Sequence, residues 1–209
     1  MKSKLRNLQS ISRAFQVAEH HYDIGNDLFS LMLDKTMMYT CGYWTKDVST
    51  LEESQLAKLD LVAKKLDLKP GMKVLDIGCG WGGAAKHFAN NYGVTVVGIT
   101  ISKEQIKYAK QNSDNMDVEF RLMDYRDLDE KFDAIYSIGM FEAVGYKNYK
   151  DFFEVIRSCL KEEGAFLLHT IGGNETTTTA DPWIAKYIFP NGMMPSAEQI
   201  AKASEGAFI

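Results

Sequence analysis

Two periods alternate along the chain. Short apolar runs at 73–77, 94–99, 118–122, 132–138 and 165–171 predict strands. Between them the apolar positions recur at helical spacing, predicting helices over 84–90, from about Lys103 through Ile106 and Ala109, and over 146–160. Strands separated by helices imply parallel crossovers and a sheet covered on both faces. Before the first strand, Leu56, Leu59, Val62, Ala63 and Leu66 form one helical stripe. Ser49 and Glu52 have the spacing of a capping box at its start, and Pro70-Gly71 stops it. After the last strand, Asp181-Pro182 opens a short helix and 196–204 reads as another. At the amino end, Leu5, Leu8, Ile11 and Phe15 alternate with Lys2, Lys4, Arg6 and Arg13. Such a basic amphipathic helix either lies on anionic lipid or covers a core or site, and the covering role is the commoner. The pattern divides the chain into a helical cap or lid segment, 1–70, and a nucleotide-binding domain, 71–209.

The first strand ends in Asp76-Ile77-Gly78-Cys79-Gly80-Trp81-Gly82-Gly83, directly before a helix. Strand, glycine turn and helix make the opening of a Rossmann-like unit. The glycine spacing, with Asp76 two residues ahead, departs from the dinucleotide fingerprint. It resembles the first motif of class I S-adenosylmethionine (SAM) methyltransferases, against the plainer alternative of a structural turn. In such a sheet the ligand sits beyond the carboxyl ends of the strands. Candidate positions are therefore Gly78 to Gly83, Thr100 to Gln105, Asp124 to Arg126, Gly139 to Glu142 and His169 to Gly172. Gln105 is a candidate polar contact after the second strand, and Asp124-Tyr125 is a candidate for an adenine edge and face. Thr100, Ser102 and Asp124 read equally well as turn or helix caps. Glu142 in an apolar stretch and His169 at a strand end are either satisfied core groups or site residues.

The 209 residues suit one domain, and the net charge of −4 gives no basic field that would favour nucleic acid. Cys41, Cys79 and Cys159 are odd in number and in no metal spacing, which points to reduced thiols in a cytoplasm and to no metal site. His20-His21 would point different ways on a helix. Met37 to Trp44, dense in aromatic and sulfur side chains, reads by itself as core packing rather than a cofactor box. No signal-peptide core and no spanning apolar stretch is seen, so membrane contact is expected to be peripheral.

Taken together, His21-Tyr22-Asp23, Tyr39 to Trp44, Leu75 to Gly82, Gly98 to Ser102, Met140-Phe141-Glu142 and Leu168 to Gly172 closely resemble the cyclopropane-fatty-acyl-phospholipid synthases and the related mycolic acid cyclopropane synthases. Asp181 to Ile184 and Tyr187 to Gly192 extend the match, which runs from about residue 15 to residue 206. The resemblance implies a class I methyltransferase fold. It also implies SAM-dependent methylene transfer to the cis double bond of unsaturated phospholipid acyl chains, through a carbocation that bound bicarbonate deprotonates. Carried over by motif, Cys41, Glu142, His169 and the backbone of Ile171 would hold the bicarbonate, and Tyr22 would position or stabilise the cation. Tyr39, Thr40, Asp76, Gly78, Gly80, Gly82, Thr100, Gln105, Asp124 and Tyr125 would form the SAM site. The family further implies attachment to the inner membrane face and a homodimer as a candidate assembly. Family members continue past the position of Ile209 with two more strands and a bicarbonate-contacting tyrosine, and longer ones carry an amino-terminal domain. On this basis the 209 residues are expected to lack these parts, to bind SAM weakly and to turn over poorly. The alternatives are a small-molecule N- or O-methyltransferase, and an inactive chain that only binds lipid or SAM.

Overall fold

The computed structural model describes residues 7–10, 13 and 25–208. The His20-His21 pair and Tyr22 lie outside the described residues, as does most of the predicted amino-terminal helix. Helices α1 (Asp27–Met32) and α2 (Leu51–Lys65) come first. Then follow β1 (Lys73–Ile77), α3 (Gly83–Tyr92), β2 (Thr95–Thr100), α4 (Lys103–Gln111), β3 (Val118–Leu122) and β4 (Phe132–Ile138). The chain continues through α5 (Tyr149–Cys159), β5 (Leu160–His169), α6 (Pro182–Tyr187) and α7 (Ala197–Ser204). The described strands form one parallel sheet of order β3-β2-β1-β4-β5. The order reverses between β1 and β4, which opens a crevice at their carboxyl ends.

Both faces of the sheet are buried, so the inner strands are apolar almost continuously. Val74, Val96, Ala134 and Tyr136 face one way, onto Leu59, Val62 and Ala63 of α2 and Ala84, Ala85 and Phe88 of α3. Leu75, Ile77, Val97, Ile99 and Ile135 face the other way, onto Phe152, Phe153 and Ile156 of α5. Helix α7 packs on α5, adding Ile200 and Ala203, and the ring of Phe208 stacks on Phe166 at 5.9 Å.

The element pattern holds, with four shifts. The capping box of α2 is Thr50 with Glu53, one residue later than the expected Ser49 and Glu52. Glu53 Oε2 accepts from the Ser49 and Thr50 amides at 2.8 and 3.0 Å, so Ser49 is a second donor rather than the cap. Helix α3 runs to Tyr92, where Gly93 caps it in the left-handed region. The helix expected over 146–160 begins as a 3-10 turn, Tyr146–Asn148, after Gly145. Strand β5 begins at Leu160, well before residue 165. Lys161, Glu162 and Glu163 hid its start, because an edge strand holds charged side chains in solvent while Leu160 still pairs with Phe132.

Asp76 shares a face with Val74 and Tyr136, inside this core. It is 2% exposed, and its Oδ2 has no hydrogen-bond partner. Burial pushes the carboxyl up to about 7, and the Tyr136 hydroxyl offsets only part of that. An acid whose pKa is raised by folding loses stability for the fold as pH climbs between the unfolded and folded values, because only the unfolded chain releases the proton there. Replacing Asp76 with Asn removes this dependence. Urea denaturation at a series of pH values should show wild type losing up to about 4 kcal/mol relative to Asp76→Asn between about pH 4 and pH 7, with no further change above it.

Candidate active site

The crevice is roofed by the segment that links α1 to α2. Trp81, in the glycine turn, is buried, and its Nε1–H donates to Asn26 Oδ1 at 2.7 Å. Its ring lies 4.7 Å from Phe29 of α1, and Phe29 meets Tyr39 edge-on at 5.5 Å. Phe29, Met37 and Trp81 form a small core of their own. This roof crosses the sheet ends closely. A Cβ on Gly83 would lie 1.9 Å from the Thr36 carbonyl oxygen, and one on Gly139, after β4, 2.4 Å from Thr40 Cγ2. Met37 and Met38 pack as the packing reading of residues 37–44 expects, whereas Tyr39, Tyr43 and Trp44 are exposed, which corrects it for the aromatic side chains.

Helix α2 holds the roof by polar contacts. Its inward face carries Ser54, Gln55 and Lys58, all buried. Gln55 Nε2 donates to the Thr40 carbonyl at 2.8 Å, and Tyr43 N–H donates to the Ser54 carbonyl at 2.9 Å. Lys58 Nζ donates to Thr40 Oγ1 at 2.7 Å and to Gln55 Oε1 at 2.5 Å. Burial pulls the Lys58 ammonium down to about 8, and the negative charges available at Cys41 and Asp34 act the other way.

Under this roof three expected side chains come together. Cys41 Sγ lies 3.7 Å from His169 Nε2. Glu142 Oε1 accepts the Ile171 amide at 2.7 Å, so the chain just past β5 is tied to the turn after β4. Glu142 Oε2 and His169 Nδ1 are buried without a partner. Burial lowers the His169 pKa and the Lys58 charge lowers it further, while Glu142 opposes both. The imidazole is therefore neutral at neutral pH. The Ile171 side chain points to solvent, so only its backbone serves the cluster. A cavity of about 480 Å³ opens beside the cluster, between α2 and β5, with Cys41, Lys58, Lys65 and His169 in its wall.

The glycine turn is held by Gly78 and Cys79 amides that both donate to the Ile99 carbonyl at 2.9 Å. Gly80 has φ +53° and open space where a Cβ would stand. Thr100 Oγ1 and Gln105 Oε1 lie 2.8 Å apart, and Ser102 caps the Gln105 amide, so both residues are half committed to each other. Asp124 caps the Arg126 amide at 3.0 Å and pairs with its guanidinium at 2.7 Å. Tyr125 is buried against Phe152, with the Arg126 guanidinium 5.1 Å from its ring centre. The structure thus keeps Gly78, Gly80, Gly82, Tyr39 and Thr40 around the crevice. It turns the Asp76 carboxyl into the core and engages Asp124 with Arg126. Sequence reasoning missed the anchoring role of Trp81 within the glycine turn, together with Asn26 and the polar face of α2.

A family model described as mycolic acid cyclopropane synthetase matches residues 9–208. The chain is 58% identical over 207 residues to the cyclopropane-fatty-acyl-phospholipid synthase of Escherichia coli, covering 99% of this chain and 54% of that protein. It therefore spans about half the length of that relative. Among solved structures, the cyclopropane synthase MmaA2 from Mycobacterium tuberculosis superposes with a TM-score of 0.86 at 37% identity, covering 92% of this chain and 74% of that one. The mycolic acid cyclopropane synthase CmaA1, complexed with SAH and CTAB, gives 0.85 at 36% identity, with the same coverage.

The Trp81 anchor makes a direct prediction. Trp81→Phe keeps a ring against Phe29 and loses the hydrogen bond to Asn26, and should cost about 1 kcal/mol. Trp81→Ala should cost roughly 3–5 kcal/mol and speed proteolytic cleavage within residues 25–44. Chemical denaturation and limited proteolysis read the two.

Proposed function

The chain belongs to the mycolic acid cyclopropane synthetase family, and on that premise we propose that it transfers a methylene group from SAM to the cis double bond of unsaturated phospholipid acyl chains, forming a cyclopropane ring. The observation that carries this reading is the joining of Cys41, His169 and Glu142 next to the glycine turn, with two buried polar atoms left unpartnered. Methyl transfer to nitrogen or oxygen releases at most a heteroatom proton, which exchanges readily with water. A methylated alkene must instead lose a proton from carbon for the ring to close, and that requires a positioned base.

The residues fit both groups the reaction needs. The open space over Gly80, with Thr40 close above Gly139, suits a cofactor lying across the carboxyl ends of β1 and β4. The unpartnered Glu142 Oε2 and His169 Nδ1, with the Cys41 thiol, suit a small oxyanion. When bound, SAM supplies an electrophilic methyl and bicarbonate supplies a base for the methyl proton. Neutral His169 donates a hydrogen bond from one ring nitrogen and accepts on the other. Glu142 Oε2 would hold such an oxyanion by accepting a hydrogen bond from its hydroxyl group. Tying Ile171 to Glu142 fixes the end of β5 against the turn after β4, so His169 and Glu142 keep one spacing. The roof over the crevice excludes water from the path between methyl and alkene.

The described part of residues 1–70 serves as the cap of this site. Trp183, Ile184, Tyr187 and Met194 expose apolar surface on and after α6, and this set suits contact with acyl chains at a membrane surface. No helix among the described residues is long and apolar enough to cross a membrane.

The test is incubation with methyl-labelled SAM and vesicles of phospholipid with cis-monounsaturated chains. Label should enter the acyl chains as saturated rings. Label confined to small amines or hydroxyl compounds overturns the reading. Glu142→Gln should lower ring formation by about 10²-fold or more while SAM affinity, read by calorimetry, stays near that of wild type.

A further inference from the structure

We propose that Lys58 is a positioning residue that supplies the positive charge of this site, bonded to Thr40 on the cofactor side and facing Cys41 and His169 on the acid–base side. This rests on the reading above only for the naming of the two sides. The arrangement itself stands on geometry. Lys58 is 4% exposed, on a helix face that otherwise packs Leu59 and Val62 into the core. It donates to neutral oxygens, those of Thr40 and Gln55, and among the described residues no carboxylate forms an ion pair with it. A buried ammonium without a counter-ion is costly, and retaining one beside a cavity is explained if a negative charge comes to sit there. That cavity has Lys58, Cys41 and His169 in its wall.

The groups that face Lys58 come from three elements. Cys41 and Asp34 belong to the roof, His169 ends β5, and Lys65 stands one cavity-width along α2. Only the thiolate and the carboxylate favour the ammonium. By reciprocity the ammonium favours an anion that comes to sit in this cavity. The charge is present below about pH 8 and lost above it. Lys58 therefore couples two events that the fold keeps apart: the placing of Thr40 and the presence of negative charge at Cys41.

The thiolate is the form that alkylates, so Cys41 reports the local charge without any turnover. Cys41 is exposed while Cys79 and Cys159 are buried, which makes the native chain's reaction with iodoacetamide specific to one site. Peptide mass spectrometry follows the rate from about pH 6 to about pH 9. Below about pH 8 wild type should react several-fold faster than Lys58→Met, and the two profiles should converge above it. Lys58→Arg, whose charge does not titrate in this range, should stay fast and exceed wild type above about pH 8. Superimposable profiles for wild type and Lys58→Met, with both folded by circular dichroism, overturn the proposal. Where the Met variant does not fold, an Arg profile that follows wild type above about pH 8 overturns it instead. Absence of methylene transfer leaves this readout unchanged, so the two proposals fail separately.

Discussion

Everything at the carboxyl end of the sheet depends on one contact: the buried polar face of α2 against the backbone and hydroxyl of Thr40. The roof segment has little apolar anchorage past Met38, since Tyr39, Tyr43 and Trp44 are all exposed. What holds it is a set of directional bonds from Ser54, Gln55 and Lys58, all emerging from a helix that is itself locked to the sheet through Leu59, Val62 and Ala63. Apolar packing would hold the segment at the right depth but leave it free to slide. Hydrogen bonds to one carbonyl and one hydroxyl fix the register, and with it the separation of Cys41 from His169.

The same contact explains where side chains are missing. The roof must come down until Thr40 touches the turn after β4 and Thr36 touches the start of α3, and a methyl at Gly139 or Gly83 would hold it off. Close approach brings the chain carrying Cys41 within reach of groups at the ends of β4 and β5. Two of those groups, Glu142 and Ile171, already bond each other. The site is thus made of one half fixed by the sheet and one half hung from α2, and only their relative height decides whether the thiol meets the imidazole.

How much of this was legible follows from the same physics. Strands β1 and β4 were readable to the residue, because an inner parallel strand is buried on both faces and so stands out as a mostly apolar run. The start of β5 was not, since an edge strand tolerates Lys161, Glu162 and Glu163, and charge then masks extended backbone. The glycine turn, Glu142 and His169 were visible as oddities of composition at strand ends. Which residues served them was not. Gln55 and Lys58 each stand four positions before a core residue, Leu59 and Val62, so helical geometry alone put them on the buried face. They escape notice because a stripe is traced through its apolar members. The motif makes Asp76 a candidate ligand contact, but two-residue alternation from Val74 turns its side chain into the core beside Tyr136. The motif therefore marks a turn whose backbone borders the crevice while its carboxyl lies in the packing beneath.

This division has a consequence for how the site tolerates change. Groups anchored in the sheet are buffered by two packed faces, so a substitution there is felt mainly as stability. Groups anchored through α2 and Trp81 are held by a few bonds each, and a loss there shifts a reacting group rather than unfolding the domain. Chemistry that must align a weak nucleophile, a methyl donor and a base is far more sensitive to such a shift than to a uniform loss of stability, because misplacement by about 1 Å already costs on the order of 10²-fold in rate. For the proposed reaction, residues remote from the cluster, Asn26 and Ser54 among them, are therefore expected to influence rate, and the polar face of α2 links the fold to the proposed site.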